Sequence, residues 1–330
     1  MEDRTRGLED LFVVEKLSKS FPVWAGALFR PSGHVSAVDD VSFEIKKGET
    51  LGLVGESGCG KTTLASMLLR MLEPTSGSIR FDGEELVGMQ QSKLRRARLA
   101  AQMIFQDPYS SLSPRLTALE VVEEPLLINR RGSREEIRRK AMGLLEMVGL
   151  TEMDAGCLPG QFSGGQRQRI GIARALALEP KFIVCDEPVS SLDVSVHAHI
   201  INLLMDLQAK LGLTYLFIAH NLALVRHVSD RVAVMYLGKL VEIGPSEVIF
   251  EDPRHPYTKA LMAAVPGFDP KKRKAKALLG GEVPSPLNPP TGCRFHPRCR
   301  FAMPVCSERE PVMTEDGKGR SVWCHLEGKR

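Results

Sequence analysis

Apolar residues fall along this chain in two rhythms. Short runs such as Phe12-Val-Val14, Ala37-Val38 onward to Ile45, and Leu51-Gly-Leu-Val54 read as strands, with Lys46-Lys-Gly-Glu49 as the turn before the last of them. Leu64, Met67, Leu68, Met71 and Leu72 then recur at helical spacing, so an amphipathic helix opens at Lys61. From about residue 91 to 177 charged, helix-forming stretches dominate, as in the segment from Arg134 to Val148. Beyond it, Phe182 to Cys185, Tyr215 to Ala219 and Val232 to Tyr236 are short β-type runs separated by helical segments. That alternation predicts an α/β sheet buried on both faces. Past Phe250 the composition shifts: one helix from His255 closed at Pro266, a Lys-rich linker over residues 271–276, a Pro-rich stretch from Pro284 to Pro290, and a Cys-containing end. The pattern places a boundary near Glu251.

Composition narrows the class. The chain has 330 residues, 43% hydrophobic and 25% charged, long enough for one large domain with an appendage or for two modest ones. Met1 to Asp10 is charged and lacks the apolar centre of a signal peptide. No apolar run approaches the roughly 20 residues that cross a bilayer. The expectation is a soluble, cytoplasmic chain whose membrane role comes through partner subunits. The net charge of +4 conceals an asymmetry, because residues 271–330 hold 13 Lys and Arg against 6 Asp and Glu. No aromatic or amphipathic pattern is interleaved with this charge, so it reads as a solvated linker rather than a nucleic-acid surface.

The chemistry lies in an ordered set of motifs. Gly55, Glu56, Ser57, Gly58, Cys59, Gly60, Lys61, Thr62 and Thr63 match G-x-x-x-x-G-K-[ST], the loop that cradles phosphates. The strand before it and the helix after it are the context this match requires. Its glycines let the backbone turn tightly and aim N–H groups at an anion, and the helix adds its positive end. Lys61 suits the β- and γ-phosphates and Thr62 suits Mg²⁺. Asp186 follows four apolar residues, at the carboxyl end of a buried strand, with Glu187 next to it. Gln106, the segment Ser163-Gly164-Gly165-Gln166, and His220 at the end of a further strand complete the series.

This order resembles the ATP-binding subunits of ABC transporters over most of residues 13–250. The resemblance implies an α/β P-loop ATPase with a RecA-like sheet core, a β-rich edge subdomain and an inserted helical subdomain at about 91–177, together spanning residues 1–250. Residues 251–330 form a small Cys-rich extension. It implies that Asp186 holds the water shell of Mg²⁺ and that Glu187 is the general base for the attacking water, a task a carboxylate can perform. Gln106 binds metal or water, His220 contacts the γ-phosphate, and Asp193 lies on the loop linking two sites. Phe21 is the expected adenine-stacking residue, with Trp24 as its competitor and a core role for Phe21 as the alternative. Ser163, Gly164, Gly165 and Gln166 complete the ATP site of an opposite subunit, so the chain is expected to work as half of a head-to-tail dimer. Phe162 precedes them where Leu is commoner.

The tail narrows the resemblance. His255-Pro-Tyr-Thr258, Gly281 to Pro286 and Gly292 to Cys299 are similar to the ATPase subunits of dipeptide and oligopeptide importers, of the second-ATPase type. Expected partners are a second ABC ATPase, two membrane permease subunits and an extracytoplasmic substrate-binding protein, with no nucleic acid. Relatives with such tails also move nickel, glutathione or sugars, and a soluble ABC ATPase acting on nucleic acid or the ribosome is the rival from another class. Cys293, Cys299, Cys306 and Cys324 crowd into 32 residues. Four cysteines in such a tail read as a metal site before a disulfide framework. Zinc favours tighter C-x₂₋₄-C knuckles, whereas four thiolates on an iron–sulfur cluster tolerate wide gaps. Zinc and free thiols stay open as alternatives, and the resemblance points to a 4Fe–4S centre.

Overall fold

The computed structural model describes residues 9–25, 30–263 and 281–327. The Lys-rich linker and Pro266 lie outside the described residues. The chain divides into two compact units, residues 1–89 with 220–330, and residues 90–219.

The first unit opens with a long antiparallel pair, β1 (Asp10–Ala25) and β2 (Arg30–Lys46). With β4 (Ser76–Phe81) and β5 (Glu84–Glu85) they form a sheet in the order β2-β1-β4-β5. Phe12, Val14, Leu17, Val38, Val41, Ile45, Ile79 and Phe81 bury one face of it, with the Phe12 and Phe81 rings 4.7 Å apart. Burial of each such side chain contributes about 1.5–3 kcal/mol to holding the sheet together.

A second layer is built on β3 (Thr50–Val54), buried along its whole length. It runs parallel to β9 (Arg231–Tyr236), Val54 facing Val234. Antiparallel to β9 lies β10 (Lys239–Pro245), followed by β12 (Ser321–Trp323) and β11 (Met313–Glu315). Glu242 faces Val322 across the β10–β12 pair. The tail therefore adds two strands to the same layer that carries the phosphate loop, and residues 220–330 belong to one compact unit with residues 1–89.

The helix α1 (Lys61–Leu68) buries Leu64, Met67 and Leu68. It stops short of Met71, which is 58% exposed. Arg70 adopts φ +52 and its N–H bonds to the Met67 carbonyl at 2.8 Å, turning the chain out of the helix. The helical spacing of Met71 and Leu72 is thus not used. Helix α11 (Pro256–Ala263) is anchored by buried Glu242, whose carboxylate accepts the N–H groups of Arg254 at 2.9 Å and His255 at 2.8 Å. Burial, with the charge of Lys259, pushes the His255 imidazole down to about 3. Its Nδ1 accepts the Tyr257 N–H at 3.1 Å, a bond that only the neutral ring can take.

The second unit holds three parallel strands, β6 (Ala101–Ile104), β7 (Phe182–Asp186) and β8 (Thr214–Ile218). Its helices include α2 (Gln91–Leu99), α4 (Ala118–Ile128), α5 (Arg134–Met147), α7 (Gly164–Leu176) and α8 (Val194–Leu211). Thr117 and Ser133 start α4 and α5 with reciprocal capping boxes to Glu120 and Glu136. The expected helical stretch from 91 to 177 is interrupted by β6, which pairs with β7. Ala101-Gln-Met-Ile104 is too short for period-two patterning to reveal it.

Candidate functional site

In the first unit the sequence folds an anion cradle between β3 and α1. Gly55, Gly58 and Gly60 take φ of +156, +77 and +106. A Cβ on Gly55 would strike the Met235 carbonyl and come within 2.7 Å of the Cys59 Sγ, and one on Gly60 would strike the Ala37 carbonyl and come within 2.8 Å of Met235 Cε. Only glycine fits at both places. Ser57 and Gly58 form the exposed tip, and Thr62 stands exposed at the start of α1, followed by half-buried Thr63. Lys61 is buried, and its Nζ turns back to donate to the carbonyls of Gly55 at 2.8 Å and Glu56 at 3.0 Å. A cation held among backbone groups at a helix start is a donor set that fits a polyphosphate.

The second unit holds the carboxylates. Strand β7 is buried throughout and ends at Asp186, which is 6% exposed. Glu187 departs from the strand with φ +48, a left-handed conformation uncommon for a residue with a side chain. Its N–H donates to the Ile218 carbonyl at 2.9 Å, pinning the turn. The turn aims the side chain at Gln106, whose Nε2 donates to Glu187 Oε2 at 2.8 Å. Ser191 Oγ in turn donates to the Gln106 carbonyl at 3.2 Å. The structure thus brings Glu187 and Gln106 together across 81 residues of chain. Ser191 is a supporting residue that sequence reasoning missed, although it lies in the loop that follows Glu187 and runs to Asp193.

The Ser163 segment is a helix start. Ser163 Oγ accepts the Gln166 N–H at 3.3 Å while Gln166 Oε1 accepts the Ser163 N–H at 3.1 Å. Helix α7 begins at Gly164 itself. Ser163 and Gly164 are exposed, and Phe162 is buried beneath them. A Cβ on Gly164 would approach Leu192 Cδ2 to 2.9 Å, and one on Gly165 would approach Val196 Cγ1 to 2.6 Å. The two glycines therefore let the start of α8 pack against the start of α7. Asp193 precedes α8 and is exposed, as is Val194 at 82%.

Phe21 lies on β1 with its ring 36% exposed and the Lys19 ammonium 5.1 Å from its centre, so it is not a core residue. The side chain of Trp24 lies outside the described residues. His220 is exposed, just beyond the end of β8.

All seven cysteines are free thiols. Cys293 and Cys306 are drawn together by the Cys293 N–H, which donates to the Cys306 carbonyl at 2.8 Å. Burial pushes the thiols of Cys293 and Cys324 up to about 11, and neighbouring cysteine charges add to the shift in both. Among the described residues, however, no three His, Cys, Asp or Glu side chains form a group that could hold a metal ion. The expected cluster or zinc site is not a preformed ligand set in this structure.

The arrangement of strand, phosphate loop and helix, with a strand-end Asp-Glu pair and a Ser-Gly-Gly-Gln helix start, defines a nucleotide-hydrolysing cassette. A family model described as "ABC transporter" matches residues 38–190, and one described as "Oligopeptide/dipeptide transporter, C-terminal region" matches residues 241–306. Known proteins agree. The oligopeptide transport ATP-binding protein AppF of Bacillus subtilis is 48% identical over 96% of this chain and 98% of its own length. The dipeptide transport ATP-binding protein DppF of Escherichia coli is 48% identical over 93% of this chain and 92% of its own. Among solved structures, the dimeric ATP-binding cassette MJ0796 bound to ADP and Pi superposes with a TM-score of 0.63 at 31% identity, covering 71% of this chain and 98% of that one. CbiO1 of Clostridium perfringens gives 0.64 at 28% identity, covering 74% of this chain and 92% of that one. The chain belongs to the ABC transporter ATP-binding family, in its oligopeptide and dipeptide branch, and its fold is the ABC ATPase cassette.

Proposed function

We propose that this chain is the ATP-hydrolysing subunit that energises a membrane importer for di- or oligopeptides. The observation that carries the reading is the hydrogen-bonded pair of Glu187 and Gln106 at the end of a buried strand, in a chain similar over nearly its whole length to peptide-transporter ATP-binding proteins. No helix among the described residues is long and apolar enough to cross a membrane, so transport requires permease partners, and a substrate-binding protein delivers the peptide. On this reading the chain sits at the cytoplasmic face of the membrane, held there by the permeases.

In this mechanism the N–H groups of residues 55–63 cradle the phosphates, and Lys61 exchanges its two carbonyl partners for β- and γ-phosphate oxygens. Thr62, Asp186 and Gln106 supply oxygen donors suited to a hard cation. Mg²⁺, when bound, neutralises charge on the phosphate oxygens. Glu187 accepts a proton from water as the water oxygen bonds to the γ-phosphorus and the bridge to ADP breaks. Gln106 orients Glu187, and His220 contacts the γ-phosphate. Phe21 stacks on the adenine, a role its exposed ring permits. Ser163, Gly164, Gly165 and Gln166 of this chain close the ATP site of a second ATPase of the same family, whose own equivalent segment closes this chain's site, and Asp193 lies at that junction. Permeases should stimulate ATP hydrolysis by the purified chain and its partner ATPase, whereas RNA and ribosomes should not. Stimulation by RNA alone would favour the soluble ABC ATPase instead.

A second reading concerns the tail. The backbone bond that draws Cys293 to Cys306 favours Cys293, Cys299, Cys306 and Cys324 as ligands that close on a 4Fe–4S cluster. Protein purified without oxygen should contain iron and acid-labile sulfide in near-equal amounts. Serine at any one of the four should lower that content, and Cys157→Ser should not. Stoichiometric zinc without iron would replace the cluster by a zinc site, and neither metal would leave free thiols.

A further inference from the structure

The tail reaches the phosphate loop directly. Arg298, one residue before Cys299, forms a two-pronged ion pair with Glu56, Nη1 to Oε2 at 2.8 Å and Nη2 to Oε1 at 3.1 Å, across 242 residues of chain. The pair is largely enclosed: the Arg298 side chain is 5% exposed and that of Glu56 is 24% exposed. The guanidinium carbon lies 5.8 Å from the centre of the Tyr236 ring, and Nη1 is 3.4 Å from the Tyr236 hydroxyl. Behind it, Tyr236, Tyr257 and Phe295 pack with ring centres 4.7 to 5.4 Å apart. The Glu56 N–H donates to the Tyr257 hydroxyl at 2.9 Å.

The other side of the loop tip is held from the same stretch of the tail. Arg294 donates to the Leu237 carbonyl and pairs with Asp39. The residue after Leu237, Gly238, donates its N–H to the Cys59 carbonyl at 2.9 Å and accepts the Asp39 N–H at 2.9 Å. Glu56 and Cys59, which flank the exposed tip, are therefore both braced by arginines lying between Cys293 and Cys299.

We propose that Arg298 is a positioning residue for ATP binding, which neutralises and immobilises the Glu56 carboxylate of the phosphate loop, so that the C-terminal unit sets nucleotide affinity. This rests on the reading of residues 55–63 as an ATP site. A carboxylate in a loop that receives a polyphosphate repels its ligand and can swing into the cradle. A bidentate guanidinium cancels the charge and fixes the rotamer at once. Arg294 acts on the same loop through the Leu237–Gly238 turn.

The test is equilibrium binding of ATP with Mg²⁺ to the full chain, with nucleotide-free melting measured in parallel. Arg298→Ala should weaken binding about tenfold, or roughly 1.4 kcal/mol. Adding Glu56→Gln to it should restore affinity to within about threefold of wild type, because the repelling charge has gone. Wild-type affinity in Arg298→Ala would overturn the proposal. So would a loss that Glu56→Gln does not recover, which is what a packing role predicts. Should Arg298→Ala fail to fold, Arg298→Lys gives the same comparison, since it loses the fork but keeps the stem. Arg298→Lys should weaken ATP binding when Glu56 is present and leave it unchanged when combined with Glu56→Gln. Equal weakening in both backgrounds would overturn the proposal. Wild-type protein that binds no ATP would instead sink the assignment of the site itself.

Discussion

Replacing Glu187 by Gln should reduce ATP hydrolysis in the assembled complex by two or more orders of magnitude, the scale expected for loss of a general base, while ATP binding stays near wild type. Gln keeps the length of the side chain and an oxygen that can still accept from Gln106 Nε2 at the present 2.8 Å. The left-handed turn at Glu187 is held by its own backbone bond to Ile218, so the geometry survives the change. What disappears is proton affinity. The glycines of the phosphate loop and Lys61 lie in the other unit and are untouched. The variant should therefore accumulate with uncleaved ATP bound, detected as retained γ-phosphate after gel filtration. Wild-type turnover in the variant would remove Glu187 from its role.

The isolated chain at high dilution should hydrolyse ATP at least about tenfold more slowly than the same chain with its partner ATPase and permeases. The reason lies in the exposure of Ser163 and Gly164 at the start of α7 and of Asp193 and Val194 at the start of α8. An exposed helix start favours an anion, and in the shared-site reading these residues serve the neighbour's nucleotide. Specific activity should rise with protein concentration if copies of this chain can pair, and with addition of the second ATPase if they cannot. Full activity in a dilute monomer, shown by sedimentation, would contradict the shared site.

The local conformation of each motif was largely legible in the sequence, because each motif is a contiguous run whose backbone demand is local. Gly55 and Gly60 are glycine because a Cβ would collide with neighbouring backbone, and Ser163 and Gln166 form a capping box at their fixed spacing. Contacts between distant segments were not legible. The Met71 and Leu72 positions continue a helical pattern, yet the chain turns at Arg70 through backbone bonds that periodicity does not register. Ser321-Val-Trp323 is too short to announce a strand, but pairing with Glu242 and Ile243 of β10 makes it one. The bond between Arg298 and Glu56 carries no motif at all. It arises because aromatic packing around Tyr236, Tyr257 and Phe295 carries the tail back to the loop. The four cysteines show the converse limit, since their spacing suggested a metal site whereas the folded thiols do not converge as ligands.

The most direct test of the account is uptake of a labelled dipeptide or oligopeptide into vesicles that contain the permeases, with the binding protein on the outside and the two ATPases on the inside. The account predicts accumulation that requires enclosed ATP and Mg²⁺, that is abolished by Glu187→Gln, and that does not occur when this chain is omitted. Equal peptide accumulation without this chain, or with Glu187→Gln in its place, would contradict it.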